Sequence, residues 1–296
     1  MTAFLAGIGQ KLADRWAALL VLPGLAYLAA ATAAAVLGQR GAVDFTALSN
    51  QVANWAASAG THSTGAAVLL AAGILAGAAL AGYIAETGGQ LTEILWTVPG
   101  RRGPARWLAS RRRRRSRAAK AAADQALAPQ AEVLAAMREA DRICVIEADR
   151  PTWIGDRLRA CHVRVEKAYG LDLDAAWPRL WLILPESARS EIAAARDSFS
   201  FAARVTAWGI LYLLLAIWWW PASLVALAAM ATGTVKARAA VAILTDLVEA
   251  AVDLYAYELA AQLGEQTSRP LPSDVGRRLT VLMRKSRWEP ESPLAD

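Results

Sequence analysis

The chain has 296 residues, 56% of them hydrophobic and only 20% charged, with 32 Lys and Arg against 26 Asp and Glu for a formal net charge of +6. A positive mean hydropathy of +0.28 excludes both an intrinsically disordered chain and the usual composition of a water-soluble protein. The two cysteines, Cys144 and Cys161, have neither CxxC nor Cys/His spacing, which excludes a disulfide scaffold and suggests no metal site.

Apolar residues collect in three charge-free blocks, Trp16 to Gln39, Phe45 to Ala85 and Val205 to Val235. About 20 such residues cross a hydrocarbon core of about 30 Å as one helix. Residues 1–15, with Phe4, Leu5, Ile8 and Leu12 at helical spacing, predict a cytosolic amphipathic lead-in. Residues 16–38 are expected to form transmembrane helix 1, since the run is too long for the core of a cleaved signal peptide. Residues 39–63 follow as an extracytoplasmic loop and residues 64–85 as transmembrane helix 2. In that helix Gly73 and Gly77 lie one turn apart, a spacing that lets two helix backbones pack closely.

Residues 86–198 read as a basic helical cytosolic region, holding most of the Lys and Arg residues. Arg111, Arg112, Arg113, Arg114 and Arg115 stand in a row as a candidate lipid or partner surface. Near a bilayer each cation would contribute about 1 kcal/mol toward anionic headgroups, although a stop-transfer signal needs nothing beyond the charge itself. Nucleic acid is not an expected partner, because no aromatic-interleaved RNA motif or zinc-finger spacing accompanies the arginines.

The stretch "RPTWIGDRLRACHVRVEKAYGLDLDAAWPRLWLILP" runs from Arg150 to Pro185. Gly155 and Gly170 read as breaks framing a helix from Asp156 to Tyr169. Asp172 or Asp174 then caps a second helix, in which Trp177, Trp181 and Leu184 share a face. Trp177, Pro178, Arg179 and Trp181 are expected to form an ordered structural element.

In "LLLAIWWWPASLVALAAM", Trp218, Trp219, Trp220 and Pro221 interrupt the third apolar block. Proline ends a helix or kinks it, and tryptophan favours the membrane interface. Two readings stand: a hairpin with the tryptophans as interfacial anchors at its tip, or one long kinked helix. Charge favours the hairpin, with residues 199–220 as transmembrane helix 3 and 221–244 as transmembrane helix 4. It keeps Arg277, Arg278, Arg284, Lys285 and Arg287 on the side of the central arginines, whereas the loop at 39–63 carries Arg40 alone. Residues 245–296 become cytosolic C-terminal helices. An acidic side of Asp246, Glu249, Asp253 and Glu258 in that region is available to the central arginines.

The segments "PTWIGDRLRA", "YGLDL", "AWPRLW" and "LP", followed by a hairpin and "LTDLVEAAVDLYAYELAAQL", resemble a family of uncharacterised multi-pass bacterial membrane proteins. In that family a PTxxGN-like segment and a YGxD...WPRL segment precede a membrane hairpin and an amphipathic tail. The resemblance covers the chain from Arg150 to about Gly264. It departs at Asp156, where the family has asparagine, and at Trp153, where arginine or lysine is usual. It implies the topology and carries no established activity.

The sequence therefore predicts an all-α integral membrane protein with two transmembrane helical hairpins and a helical cytosolic region. Its expected place is the cell membrane, multi-pass, with both termini cytoplasmic. No catalytic, cofactor-binding or metal residues are singled out, because no phosphate loop, dinucleotide fingerprint, HExxH or GxSxG pattern is present. His62 and His162 lack the neighbours that would complete a nucleophile, base and orienter. The expected role is interaction, scaffold or accessory component, with a bilayer of anionic headgroups and a protein partner or self-association. The alternatives are a homo-oligomeric channel or membrane-disrupting effector, and an enzyme whose site escapes the known patterns.

Overall fold

A computed structural model of the chain describes residues 21–59, 64–99, 103, 106–114, 117, 150–267 and 269–285. Among the described residues every regular element is a helix, with no strand. They are α1 (Leu22–Leu37), α2 (Phe45–Ala59), α3 (Thr64–Thr97), α4 (Trp153–Tyr169), α5 (Leu173–Ile183), α6 (Glu186–Leu215), α7 (Pro221–Gln262) and α8 (Ser273–Arg284). Residues 106–114 are also helical. The expected lead-in at 1–15, residues 16–20 of the first apolar run, Arg115 and Arg287 lie outside the described residues.

Two helices are long and apolar enough to cross a membrane, over Gly65–Thr97 and Glu186–Leu215, and α1 is apolar but shorter. The chain divides into two compact units, one drawn from Met1–Glu93 and Ser200–Lys236, the other from Ile94–Phe199 and Ala237–Asp296.

The first unit holds α1, α2, most of α3, the later part of α6 and the start of α7. Gly24 of α1 meets the backbone of α3, where a Cβ would sit 2.0 Å from the Ala78 carbonyl oxygen. Ala78, Ala81 and Ala85 are buried along α3. The chain reverses between α6 and α7, and the two helices run antiparallel: Gly209 lies against Ala226 and Met230, and Gly233 against Ala202 and Thr206. Pro221 starts α7, where its missing N–H costs no helical bond. The interruption at the tryptophans is thus a hairpin tip rather than a kink within one helix.

Gln39 locks that tip. Its Nε2 donates to the carbonyls of Ala216 (3.0 Å) and Ile217 (2.7 Å), while its Oε1 accepts from the Trp220 N–H (3.2 Å). One side chain therefore serves backbone groups left over where α6 stops and α7 begins. Trp219 Nε1 donates to the Ala42 carbonyl (2.9 Å), which leaves Trp218 and Trp220 as the exposed members of the cluster.

The second unit is built on the apolar faces of α4, α5 and α8, the early part of α6 and the later part of α7. Leu171, Leu180, Val252 and Leu279 are fully buried in its core.

Helix bounds depart from the hydropathy boundaries mostly toward longer helices, although α6 stops at Leu215, short of the expected residue 220. Transmembrane helix 2 was expected to end at residue 85, but α3 continues to Thr97. Glu86 does not stop it, because the Arg204 guanidinium pairs with its carboxylate at 3.0 Å. Gly88 and Gly89 do not stop it either, since they admit Ala207 and Arg204 at close approach. Likewise α6 begins at Glu186 rather than residue 199. The expected segment 221–244 and the first part of the expected C-terminal region 245–296 are one helix, α7, which runs to Gln262. Charge marks a change of solvent, whereas a helix ends only where proline, glycine or a cap ends it.

Candidate functional site

The Arg150 to Pro185 segment builds the most structured part of the second unit. Gly155 is not a break in the way its residue type suggested. It sits in the first turn of α4, with Thr152 as the N-cap whose hydroxyl oxygen accepts the Gly155 N–H at 3.0 Å. The Thr152 hydroxyl donates in turn to the Trp96 carbonyl at the end of α3. A Cβ at position 155 would stand 2.7 Å from that same carbonyl oxygen, so the residue must be glycine for α4 to meet α3.

Asp156 completes the junction. Its carboxylate is 3% exposed and accepts from Arg112 Nη1 at 2.7 Å and from the Arg150 N–H at 2.9 Å. Arg112 also donates to the Arg150 carbonyl (2.9 Å), and the Arg150 side chain donates to the Thr97 carbonyl. Arg112, expected as part of a basic surface, is thus a structural clamp. Arg111 instead lies over the Trp107 ring at 5.6 Å.

A second junction is made by "YGLDL" and "WPRL". Gly170 closes α4 in the left-handed conformation, φ 65°, and its N–H donates to the Glu166 carbonyl. α8 presses on this turn, and a Cβ on Gly276 would lie 1.9 Å from the Tyr169 carbonyl oxygen. Asp172 caps α5 by accepting the Asp174 N–H, accepts from Arg284, and donates its own N–H to the Thr280 hydroxyl oxygen at 3.0 Å. Arg179 reaches the Met283 carbonyl at 3.1 Å in the last turn of α8, where carbonyls lack helical partners. Each recurring polar residue of the motif therefore serves a backbone group or an ion pair.

The acidic side of α7 faces α4. Asp246 accepts from Arg157 at 2.5 Å, Glu249 pairs bidentately with Arg164, and Asp253 accepts from the Tyr169 hydroxyl at 2.7 Å. The bond to Asp253 pushes the Tyr169 phenol up to about 12. Glu249 raises the Arg164 guanidinium further above its already high value.

Between these junctions lies an open groove of about 800 Å³. Leu158, Leu173, Trp177, Pro178, Trp181 and Val248 give it an apolar lining, and His162, Asp174, Arg196 and Asp197 stand along it as polar groups. The Trp177 and Trp181 rings are 5.9 Å apart and tilted by 49°. Cys161 also lines it, but burial pushes this thiol up to about 12, so it is neutral and a poor nucleophile. His162 faces the exposed Asp174 at 3.7 Å rather than a buried orienting group. The arrangement offers apolar contact area on fixed helices and no assembled set for covalent chemistry.

Of the other sequence-level residues, Gly77 touches Leu28 of α1, while Gly73 has no neighbour within 4 Å of a notional Cβ. In the first unit the closest approaches belong instead to Gly24, Gly89, Gly209 and Gly233. Among the described residues no group of three or more His, Cys, Asp or Glu side chains is placed to hold a metal ion.

Comparison with protein-family models, with curated proteins and with solved structures finds no match to this chain.

Proposed function

We propose that the protein is a four-span protein of the cell membrane, with both termini cytoplasmic. It acts as an interaction or scaffold component by presenting the groove formed by α4, α5, α6 and α7 to a protein partner. The membrane reading is supported by the apolar lengths of α3 and α6. Leu69, Leu70, Leu75 and Leu80 stand exposed along α3, as a lipid-facing surface requires, and Trp218 and Trp220 lie at the hairpin tip. The sequence resemblance to multi-pass membrane proteins points the same way.

The observation that carries the interaction role is the groove itself. An open apolar channel flanked by two tryptophans and framed by capped, ion-paired helices suits the apolar face of a partner helix. The rim carries Asp174, Asp197, His162 and Arg196, groups that set orientation.

A photo-crosslinking residue at Ala193, which lines the groove and is exposed, tests this in intact cells. The expected result is a discrete protein adduct that disappears in Trp181→Asp, read below that variant's melting temperature, which falls because Trp181 also packs against the core, and at unchanged membrane fractionation. An adduct unchanged by Trp181→Asp removes the groove from the function. Release of the whole chain by alkaline carbonate removes the membrane reading.

A further inference from the structure

The region expected as a plain loop contains α2, and this helix is amphipathic without being charged. Phe45, Leu48, Val52 and Trp55 span an arc of about 80° at 100° per residue. Phe45 is 76% exposed, Val52 51% and Trp55 45%. The opposite side carries Thr46, Asn50 and Asn54, and no Lys, Arg, Asp or Glu falls between Phe45 and Ala59. The preceding carboxylate, Asp44, is spent on the helix start, accepting the N–H groups of Thr46 (3.1 Å) and Ala47 (3.0 Å).

An exposed face of this kind needs something to cover it, and its position says what. The chain leading into α2 is tied to the tryptophan cluster through the Trp219 Nε1 bond to the Ala42 carbonyl and through Gln39. Tryptophan clusters lie at the headgroup level of a bilayer. A helix starting within a few residues of that level, with a phenylalanine, a valine and a tryptophan unpartnered on one side, lies along the interface rather than across it.

We propose that α2 is an in-plane helix that inserts Phe45, Val52 and Trp55 into the extracytoplasmic leaflet, and that it recognises gaps between acyl chains rather than charged headgroups. In-plane helices that select anionic lipid carry lysines and arginines on the polar face. Here that face holds hydroxyl and amide groups, so attachment rests on apolar insertion alone. Bulky side chains enter only where headgroups are loosely spaced, so the helix reports lipid packing. This inference rests on the membrane reading above and adds a lipid-recognising element to it.

The test uses the full chain with Cys144→Ser and Cys161→Ala, carrying one environment-sensitive fluorophore on a new cysteine, reconstituted into phosphatidylcholine vesicles. Val52→Cys probes the apolar face, Asn50→Cys the polar face, and Leu75→Cys the middle of the uncharged stretch of α3 over residues 64–85. Lipids bearing a nitroxide near the headgroup should quench Val52, those with a deep nitroxide should quench Leu75, and neither should quench Asn50. Exchange for phosphatidylglycerol or added salt should leave the Val52 signal unchanged, whereas tightly packed saturated lipid should shift its emission to the red. Loss of quenching at Leu75 refutes the membrane reading. Quenching at Leu75 with a water-exposed Val52, or a Val52 signal that follows lipid charge and salt, refutes this inference alone. Oxidative cross-linking of Val52→Cys between copies, without lipid quenching, would assign the face to a second copy and overturn the proposal.

Discussion

Replacing Asp156 by alanine tests whether the PTWIGD segment is a structural clamp. The carboxylate is 3% exposed and Arg112 is 18% exposed, so the variant strands a largely buried guanidinium beside a lost acceptor. It also removes the acceptor of the Arg150 N–H. Breaking a buried pair on one side costs about 3–5 kcal/mol, and Arg112 retains its bond to the Arg150 carbonyl at 2.9 Å, which places the loss at the lower end. With about 2–4 °C per kcal/mol for a domain of 150–250 residues, about 3 kcal/mol lowers the melting temperature by about 6–12 °C. Asp156→Asn keeps one carbonyl oxygen and loses the charge, so its cost is that of a weakened charge-assisted bond, about 1–2 kcal/mol. Intrinsic tryptophan fluorescence on heating the detergent-solubilised full chain reads both variants, since Trp96 and Trp153 flank the junction. A double-mutant cycle with Arg112→Met should show strong coupling. If Asp156→Ala melts with the parent, or if the two substitutions are simply additive, the clamp reasoning is wrong.

Two further outcomes follow from close contacts and burial. Gly233→Ala places a Cβ 2.2 Å from Thr206 Oγ1 and 2.9 Å from the Ala202 carbonyl oxygen. It should destabilise the α6–α7 hairpin by about 1–3 kcal/mol. Gly73→Ala meets nothing within 4 Å and should be neutral or stabilising by up to about 1 kcal/mol; equal melting of the two variants would sink the packing argument. Cys161 has a folded pKa raised from 9.0 to about 12 by burial, so the folded chain keeps a proton that the unfolded chain releases. Its contribution to stability is complete below pH 9 and is lost as pH rises from there toward 12. Cys161→Ala should flatten the stability profile in that window, and rapid reaction of the native Cys161 thiol with a disulfide reagent at neutral pH would contradict its burial.

The sequence was most legible where one physical signal had one meaning. Of the four expected spans, the apolar runs located two helices long and apolar enough to cross a membrane, α3 and α6, and Pro221 after three tryptophans located the chain reversal. Charge was less legible, because the same arginine can serve a surface or a clamp. Nothing in the row from Arg111 to Arg115 distinguishes Arg112, whose role depends on Asp156 far along the chain. Gly155 was misread for a related reason, since glycine signals either a break or a close approach, and only the nearness of the Trp96 carbonyl decides. The groove joins residues of α4, α5, α6 and α7, and no local pattern contains such a surface. α2 did leave a signal: Asp44 precedes Thr46, and Phe45, Leu48, Val52 and Trp55 recur at helical spacing. The apolar length around it concealed that periodicity.

The motif residues and the groove divide the work in a way that explains why the segment is so strongly patterned yet offers no reactive set. Thr152, Gly155, Asp156, Gly170, Asp172 and Arg179 all act at the ends of helices, where four N–H or four carbonyl groups lack internal partners. A buried helix end without such partners would cost about 1–3 kcal/mol per stranded group, so the spacing of these residues follows from where α3, α4, α5 and α8 begin and end. Trp177, Pro178 and Trp181 share the same stretch but satisfy no backbone group, and instead line the open groove. A substitution in the first set should therefore lower stability whatever the function is. Trp177 and Trp181 also pack against the core, so substituting them lowers stability as well. A substitution of the exposed lining residues Ala193 or Asp197 should leave the fold in place and alter what the groove binds, and that separation makes the partner experiment decisive.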